Sequence, residues 1–352
     1  MKILYVITGL GGGGAEKVVA NLADQMFLKG HEVKIAYLKG DIVVQPGQQE
    51  LELIYLGLEK PLNFIAAAKK YRDLLDRFKP DVVHAHMVHA NIFTRLNRLF
   101  YAVPKLICTA HSNNEGGNLR MLAYQYTNWL SDLNTNVSRK ATEDFINIKA
   151  FNRKAITVYN GIDFSFFKRS EIEANRAVKI ILAVGRLNIH KDYPNLLNAI
   201  ALIKLNNKLN FKLQIAGEGE ERENILSLIR QLNLESYVEL LGRRDDIPEL
   251  MSRADVFVLS SEFEGFGLVV AEAMACHTFV VATDCGGVKE VLGNNGLLVP
   301  IKSPVALSQA ILEALFMSDE ERKLNNQNAF EYAQQNFDLN KIVGRWVELY
   351  ES

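Results

Sequence analysis

The sequence predicts an α/β protein built from two doubly wound domains whose strand ends face a central cleft. Three observations carry that expectation. Short β-branched runs alternate with helix-length amphipathic stretches from end to end, the pattern of parallel sheets covered by helices on both faces. The alternation stops near residue 163 and restarts at Lys179. At 352 residues the chain is also long for one hydrophobic core, and two domains of roughly 150–200 residues fit better.

In chain order, the strands of the first set are expected at Lys2–Thr8, Glu32–Leu38, Leu51–Leu56, Asp81–His86, Lys105–Ala110 and Leu133–Val137. The second set is expected at Lys179–Gly185, Phe211–Ala216, Val238–Leu241, Val256–Leu259, Thr278–Ala282 and Leu297–Val299. Between the sets lies Val158-Tyr159-Asn160-Gly161-Ile162-Asp163, followed by a charged stretch from Lys168 to Ala177. Asn-Gly marks a turn, and a domain junction is the simplest reading. The expected domains are therefore 1–163 and 164–336. A terminal helix at about 337–352, with Ile342, Val343, Trp346, Leu349 and Tyr350 at helical spacing, is expected to pack back on the first domain.

Composition excludes several classes. Apolar residues make up 48% and charged residues 23%, as in an ordinary soluble globular protein. The longest apolar runs are strand-sized, too short to cross a bilayer. Lys2 is followed at once by a strand-like run, so no signal peptide is expected. Cys108, Cys276 and Cys285 lack Cys-x-x-Cys spacing and are expected as free thiols of a reducing cytoplasm. The net charge of −1 is unevenly spread: residues 1–163 hold 20 Lys/Arg against 15 Asp/Glu, and the remainder holds 20 against 26. The basic first half suggests an acidic partner such as phospholipid head groups, not nucleic acid.

The segment Ser261–Ala275 is the most informative. It places Glu264 and Glu272 eight positions apart around Gly265-Phe266-Gly267, with Leu268 and Val269 opening an apolar helix. A carboxylate in an apolar helix is costly unless it meets strong donors, and sugar and ribose hydroxyls are such donors. The glycine turn leaves the first helical N–H groups free for an anion. Carboxylates for hydroxyls beside amides for phosphates suggest a nucleotide-sugar site. A hydrolytic pair fits less well: eight residues of helix span about 12 Å, whereas glycosidase carboxylates stand about 5–9.5 Å apart.

Other candidates follow strand ends, where α/β ligands sit. Arg186 and Lys191 in Gly185–Asp192 can clamp a diphosphate, and their place at a strand's carboxyl end favours that over a solvated loop with a surface pair. Glu218, between Gly217 and Gly219, is either a ligand contact or a solvated turn acid. Arg243, after the next strand, could wall a base pocket. Gly9–Gly14, including Gly13 and Gly14, is either an anion loop or a flexible strand-to-helix turn, since it matches neither the dinucleotide fingerprint nor the P-loop. His111 ends a first-domain strand and could meet a sugar hydroxyl or phosphate, or serve as a cap. His84, His86 and His89 lack the carboxylate or cysteine that would complete a metal shell. The chain contains no Asp-x-Asp, so a leaving diphosphate would be neutralised by cations and helix N-termini.

Together, Glu264-x7-Glu272 in the run Glu264–Ala275, Gly-Arg-Leu-x-x-x-Lys-Asp at 185–192, and Ala282–Glu290 resemble family 4 of the retaining glycosyltransferases. The resemblance runs nearly end to end, from Gly-Gly-Gly-Ala-Glu at the start through Thr109-Ala110-His111 and the 158–163 junction to Gly296–Pro300. It implies the GT-B architecture of two Rossmann-like domains. It implies that Arg186 and Lys191 hold the donor diphosphate, Glu272 the ribose hydroxyls and Glu264 the transferred hexose. The Gly265–Val269 backbone and Gly14 would approach phosphate, and His111 the sugar or β-phosphate. No metal or other cofactor is expected, and a UDP-sugar is the expected donor. A departure from the family pattern is the polar stretch His111–Gly117, read as an acceptor-side loop.

The function expected is metal-independent transfer of a hexosyl unit, with retention, to a glycan or lipid-linked acceptor in surface polysaccharide or glycolipid synthesis. A nucleotide-sugar epimerase or hydrolase on the same fold, and a non-catalytic nucleotide-sugar-binding module, are the alternatives; a dehydrogenase lacks its fingerprint glycines. The stretch Asn91–Tyr101 puts Ile92, Phe93, Leu96, Leu99 and Phe100 on one helical face, with Arg95 and Arg98 elsewhere. A basic amphipathic helix can lie on a membrane, and the same stripe describes a helix packed on its own sheet. The location expected is cytoplasmic, peripheral on the inner face of the membrane.

Overall fold

A computed structural model describes residues 1–112, 115–170, 178–206 and 209–352. Asn113 and Asn114 of the polar loop, and residues 171–177 of the charged stretch, lie outside the described residues. The chain divides into two compact units: unit 1 is Met1–Gly161 with Asn340–Ser352, and unit 2 is Ile162–Leu339.

Unit 1 runs β1 (Lys2–Ile7), α1 (Gly14–Leu28), β2 (Glu32–Tyr37), β3 (Glu52–Tyr55), α2 (Phe64–Phe78), β4 (Val82–His86), α3 (Val88–Arg98), β5 (Leu106–Ala110), α4 (Asn118–Thr127), β6 (Leu133–Asn136), α5 (Arg139–Asn147) and β7 (Ile156–Thr157). The sheet is parallel throughout, in the order β3-β2-β1-β4-β5-β6-β7. Central strands β4 and β5 are buried along their whole length, which explains their mostly apolar character apart from the two histidines of β4 and Thr109 of β5. Helix ends follow local chemistry: the Ser138 hydroxyl accepts from the Ala141 amide to open α5, and Lys79 takes a left-handed conformation that closes α2 before Pro80.

Unit 2 runs β8 (Lys179–Val184), α6 (Tyr193–Asn206), β9 (Phe211–Ala216), α7 (Arg222–Gln231), β10 (Val238–Gly242), α8 (Ile247–Arg253), β11 (Val256–Leu259), α9 (Leu268–Ala275), β12 (Val280–Thr283), α10 (Val288–Leu292), β13 (Leu297–Val299), α11 (Pro304–Phe316) and α12 (Asp319–Phe337). Its parallel sheet is ordered β10-β9-β8-β11-β12-β13. Ile181, Leu213, Val256, Val258 and Val281 from the strands meet Leu196, Ile200, Leu307 and Ile311 from the helices in its core. Ser318 and Glu321 form a reciprocal capping box at the start of α12.

The last helix, α13 (Leu339–Glu351), buries Val343, Trp346, Leu349 and Tyr350. The Tyr350 hydroxyl lies 2.7 Å from His84 Nδ1 and 3.1 Å from the Tyr5 hydroxyl, so this helix is fastened to β1 and β4 by polar contacts as well as by apolar ones.

Both sheets share a doubly wound order, reversing direction between β1 and β4 and between β8 and β11. Ligands of such sheets bind beyond the strands' carboxyl ends at that reversal. Every strand of the two predicted sets is present within a few residues of its expected bounds. The two-residue β7 was not anticipated; Ile156 and Thr157 extend the sheet by pairing with Asn136 and Thr135.

Candidate active site

In unit 2, five strand-end loops meet around the sheet reversal. Residues 185–192 leave β8 in a tight turn: the Asn188 side chain accepts from the Lys191 amide at 3.2 Å, and Asp192 has φ 45°. The Ser260 hydroxyl donates to the Lys191 carbonyl at 2.8 Å, and the Glu262 amide to the His190 carbonyl at 2.9 Å. These bonds tie the β8 loop to the β11 loop and bring Lys191 to Glu264. Lys191 Nζ and Glu264 Oε1 stand 2.5 Å apart, with side-chain exposures of only 18% and 15%. The Ser261 hydroxyl donates to the same carboxylate oxygen at 2.8 Å.

The turn that holds Glu264 depends on glycine. A Cβ at Gly286, where φ is +53°, would lie 1.6 Å from the Glu264 carbonyl oxygen. Gly267, at φ +88°, directly precedes α9, and no other residue type enters that conformation as easily. Phe266 turns inward, its ring edge-on to Phe337 at 5.3 Å, so only its backbone borders the loop. Glu272 is buried one turn into α9. Cys285 is buried nearby, and burial pushes its thiol up to about 12, which disfavours a nucleophilic thiolate.

The β8, β9 and β10 ends are knitted together. The Leu187 amide donates to the Glu218 carbonyl at 2.9 Å and the Gly217 amide to the Gly242 carbonyl at 2.8 Å. A Cβ at Gly219 would meet the Leu187 carbonyl oxygen at 2.3 Å. Gly217 and Gly219 therefore serve close backbone packing, and Glu218 between them pairs with Arg222 at 3.4 Å. Arg186 is exposed and reaches Glu220 at 3.1 Å. Arg243 is exposed just past β10.

In unit 1 the counterpart groups follow β1, β4 and β5. Gly13 caps α1, and a Cβ there would crowd the Glu16 carboxylate at 2.5 Å; at Gly14 a Cβ would meet nothing within 4 Å. His111 follows β5, with Nε2 3.0 Å from His86 Nδ1. Its backbone amide donates to Glu115 Oε1 at 2.8 Å, and the Tyr124 hydroxyl donates to Glu115 Oε2 at 2.5 Å. Asn91 completes the network by donating to the Tyr124 hydroxyl at 2.8 Å. Desolvation dominates here: burial raises the Glu115 carboxyl to about 7 against the bonds it accepts, and burial lowers His111 to about 4. Thr8, Met87, Val88, His89, His111, Ser112, Glu115 and Arg120 line a cavity of about 340 Å³.

Sequence models cover the chain in two adjoining pieces: one described as Glycosyltransferase Family 4 matches residues 12–166, and one described as Glycosyl transferases group 1 matches residues 165–331. A Campylobacter jejuni enzyme named N-acetylgalactosamine-N,N'-diacetylbacillosaminyl-diphospho-undecaprenol 4-alpha-N-acetylgalactosaminyltransferase is 31% identical over 97% of each chain. The chain belongs to the family 4 glycosyltransferases. Among other relatives, the N-acetyl-alpha-D-glucosaminyl L-malate synthase of Bacillus anthracis is 27% identical, covering 96% of this chain and 93% of its own. The solved structure of Anabaena HepE in complex with UDP superposes with a TM-score of 0.85 at 21% identity over all of both chains, and so shares the GT-B fold.

This glycosyltransferase acts on nucleotide-sugar donors. Of the residues singled out by sequence, Lys191 and Glu264 are brought into direct contact, and Gly265–Val269 form the turn beside them. Arg186 and Glu218 lie on neighbouring strand ends with partners of their own. Sequence reasoning misses Glu115 within the polar stretch, because its partner Tyr124 lies nine residues on and no local pattern announces the contact.

Of the two readings of α3, the structure supports the helix packed on its own sheet: Arg95 is fully buried, its guanidinium 5.0 Å from the Tyr124 ring and bonded to Asn134 and Thr127. Phe93 is buried with it, and Arg98 pairs with Asp132 at 2.7 Å. The stripe belongs to a helix packed on its own sheet. Among the described residues, no cluster of His, Cys, Asp and Glu is placed to hold a metal ion, and no helix is long and apolar enough to cross a membrane.

Proposed function

We propose that the enzyme transfers a hexosyl unit, with retention, from a UDP-sugar to a polyprenyl-diphosphate-linked glycan, without a metal, during assembly of a surface polysaccharide or glycolipid. The shielded Lys191–Glu264 pair beside the glycine turn of α9 is the observation that carries this reading. In the free enzyme the ammonium is neutralised by Glu264. A diphosphate seated at the turn would share that ammonium, draw Arg186 from its exposed partner, and accept from the first amides of α9. Charge developing on the leaving diphosphate would then be stabilised by groups already in place. Glu264, freed of part of its ion pair, would orient the hexose, and Glu272 the ribose. The departing phosphate oxygen would take the acceptor proton, so the reading requires no protein nucleophile.

The acceptor class is suggested by the Campylobacter jejuni relative, whose name specifies a diphospho-undecaprenol substrate. Helix α4 supports a membrane-side acceptor. Leu119, Leu122 and Tyr126 recur at helical spacing on α4 and are exposed, as is Trp129 in the 3₁₀ turn that follows, Leu119 at 84%, Tyr126 at 74% and Trp129 at 69%. From Gly116 to Leu130 the chain has one cation, Arg120, and no acidic residue. Aromatic and leucine side chains on such a face suit the interface of an anionic bilayer. The working enzyme in this reading is peripheral on the cytoplasmic face of the membrane, with α4 as its contact.

Thermal-shift titration with UDP-, GDP- and ADP-sugars, followed by product analysis with and without a polyprenyl-diphosphate glycan, tests the reaction. Stabilisation by the UDP series and acceptor-dependent release of UDP are expected. Conversion of the donor to an isomer without acceptor would replace the reading with an epimerase. For the membrane contact, co-sedimentation with anionic liposomes at low salt should occur and weaken when Tyr126 and Trp129 are changed to Ser; absence of binding by the unaltered protein sinks it.

A further inference from the structure

Three histidine rings lie side by side, tilted, inside unit 1, and their hydrogen bonds are unequal. The rings of His84 and His86 lie 3.9 Å apart, and those of His86 and His111 lie 5.2 Å apart. His84 is satisfied at both nitrogens, by the Tyr350 hydroxyl at 2.7 Å and the Thr109 hydroxyl at 2.7 Å. His86 is satisfied at one. Its Nδ1 stands 3.0 Å from His111 Nε2, while its Nε2 is buried with no hydrogen-bond partner.

A single proton lies between His86 Nδ1 and His111 Nε2 if both rings are neutral, and the two ways of supplying it differ. If His111 donates, His86 carries its own proton on Nε2, a buried N–H with nothing to accept it. If His86 donates from Nδ1, the orphan is a buried lone pair. Unpaired buried donors are the rarer and more costly of the two. We infer that His86 is a positioning residue that fixes His111 as the tautomer protonated on Nδ1, making His111 a hydrogen-bond donor at the cavity it lines.

Two further observations agree. Burial lowers the pKa of His86 well below the ordinary histidine value and that of His111 to about 4, so both rings are neutral near pH 7. His111 Nδ1 also has no partner among the described residues, so its proton is available to a ligand. The ring then serves a ligand oxygen that accepts, such as a phosphate, ether or hydroxyl oxygen, and does not serve as a base toward a hydroxyl donor. That use at the donor sugar rests on the reaction proposed above; the tautomer itself does not, because it follows from contacts within unit 1.

The test is long-range 1H–15N correlation on histidine-labelled full-length protein at pH 7.5, with His111 identified from the spectrum of a His111→Gln variant. His111 should show a protonated Nδ1 and an unprotonated Nε2. A protonated Nε2 in the unaltered enzyme overturns the inference, whatever the enzyme's substrate proves to be. His86→Asn keeps an amide donor where Nδ1 stands and should preserve the tautomer. His86→Leu should shift His111 toward Nε2–H and raise the donor KM about tenfold, the loss of one hydrogen bond, with a smaller change in kcat. If His86→Leu folds, as judged by circular dichroism, and leaves the His111 signals unchanged, the inference fails. If it does not fold, the spectrum of the unaltered protein decides.

Discussion

At its strand ends unit 1 carries polar groups whose charged forms burial disfavours: His84, His86, His111 and Glu115. At the equivalent strand ends unit 2 carries charged side chains in pairs, Lys191 with Glu264, Arg186 with Glu220 and Lys302 with Glu262. The two sheets share a strand order and differ in how they treat charge. Burial without a counter-ion neutralises a titratable group, whereas a partner at contact distance preserves its charge. Neutral groups can orient hydroxyls and oxygens but give little to a leaving diphosphate; paired cations can be shared with one. In the proposed reaction, unit 2 therefore supplies the electrostatic stabilisation of the leaving group.

The largest effect that would break this comparison is at Lys191. Lys191→Ala should lower turnover by about 10²–10³-fold, the scale of losing one preorganised charge-stabilising group, as read in steady-state transfer kinetics. A loss under tenfold would mean that the pair is merely structural. Next is Gly286→Ala, which forces a Cβ to within 1.6 Å of the Glu264 carbonyl oxygen at positive φ. It should destabilise unit 2 by about 2–4 kcal/mol in denaturant titration and abolish donor binding. Gly14→Ala is its control: with nothing within 4 Å of the new Cβ, stability should move by less than about 1 kcal/mol.

Acid should separate the units next. In unit 1 burial holds His84 and His86 well below the ordinary histidine value and His89 and His111 at about 4. As pH falls from about 6.5 toward 4, the unfolded chain gains these protons before the folded one, so stability falls. Glu115 acts the other way: burial raises its carboxyl to about 7, above the ordinary glutamate range, and its contribution falls as pH rises through that window. Four histidines outweigh one carboxyl, and unit 2 has only His277 similarly lowered among the described residues. Amide hydrogen exchange, corrected for intrinsic rate, should show unit 1 losing more protection than unit 2 between pH 7 and pH 5. Equal loss would contradict the comparison. The smallest effect is Arg186→Ala: an exposed ion pair should cost at most about 1 kcal/mol in stability while weakening donor binding measurably by calorimetry.

The same contrast explains what the sequence made legible. Unit 2's site is local: Glu264, the glycine turn and α9 are consecutive, and Arg186 and Lys191 sit in one loop, so spacing alone exposed them. The fold was legible for the same reason, since buried parallel strands are short apolar runs bounded by glycine and proline. Unit 1's site is assembled across distance. Glu115 is held by Tyr124 and Asn91, and His111 by His86 from the neighbouring strand. Arg95 looked like a surface cation because helical spacing reports a face, not the Tyr124 ring and the Asn134 side chain that draw the guanidinium inward. His84 read as part of an incomplete metal shell because one of the two contacts that satisfy it comes from α13, more than 260 residues later.

The most direct measurement compares Glu264→Gln with the unaltered enzyme, taking kcat for glycosyl transfer and the Kd for UDP side by side. The account predicts a turnover loss of at least about 10²-fold with UDP affinity within a few-fold, because in the proposed reaction Glu264 orients the hexose while Lys191, Arg186 and the α9 amides hold the diphosphate. Near-normal turnover, or an affinity loss as large as the turnover loss, would contradict it.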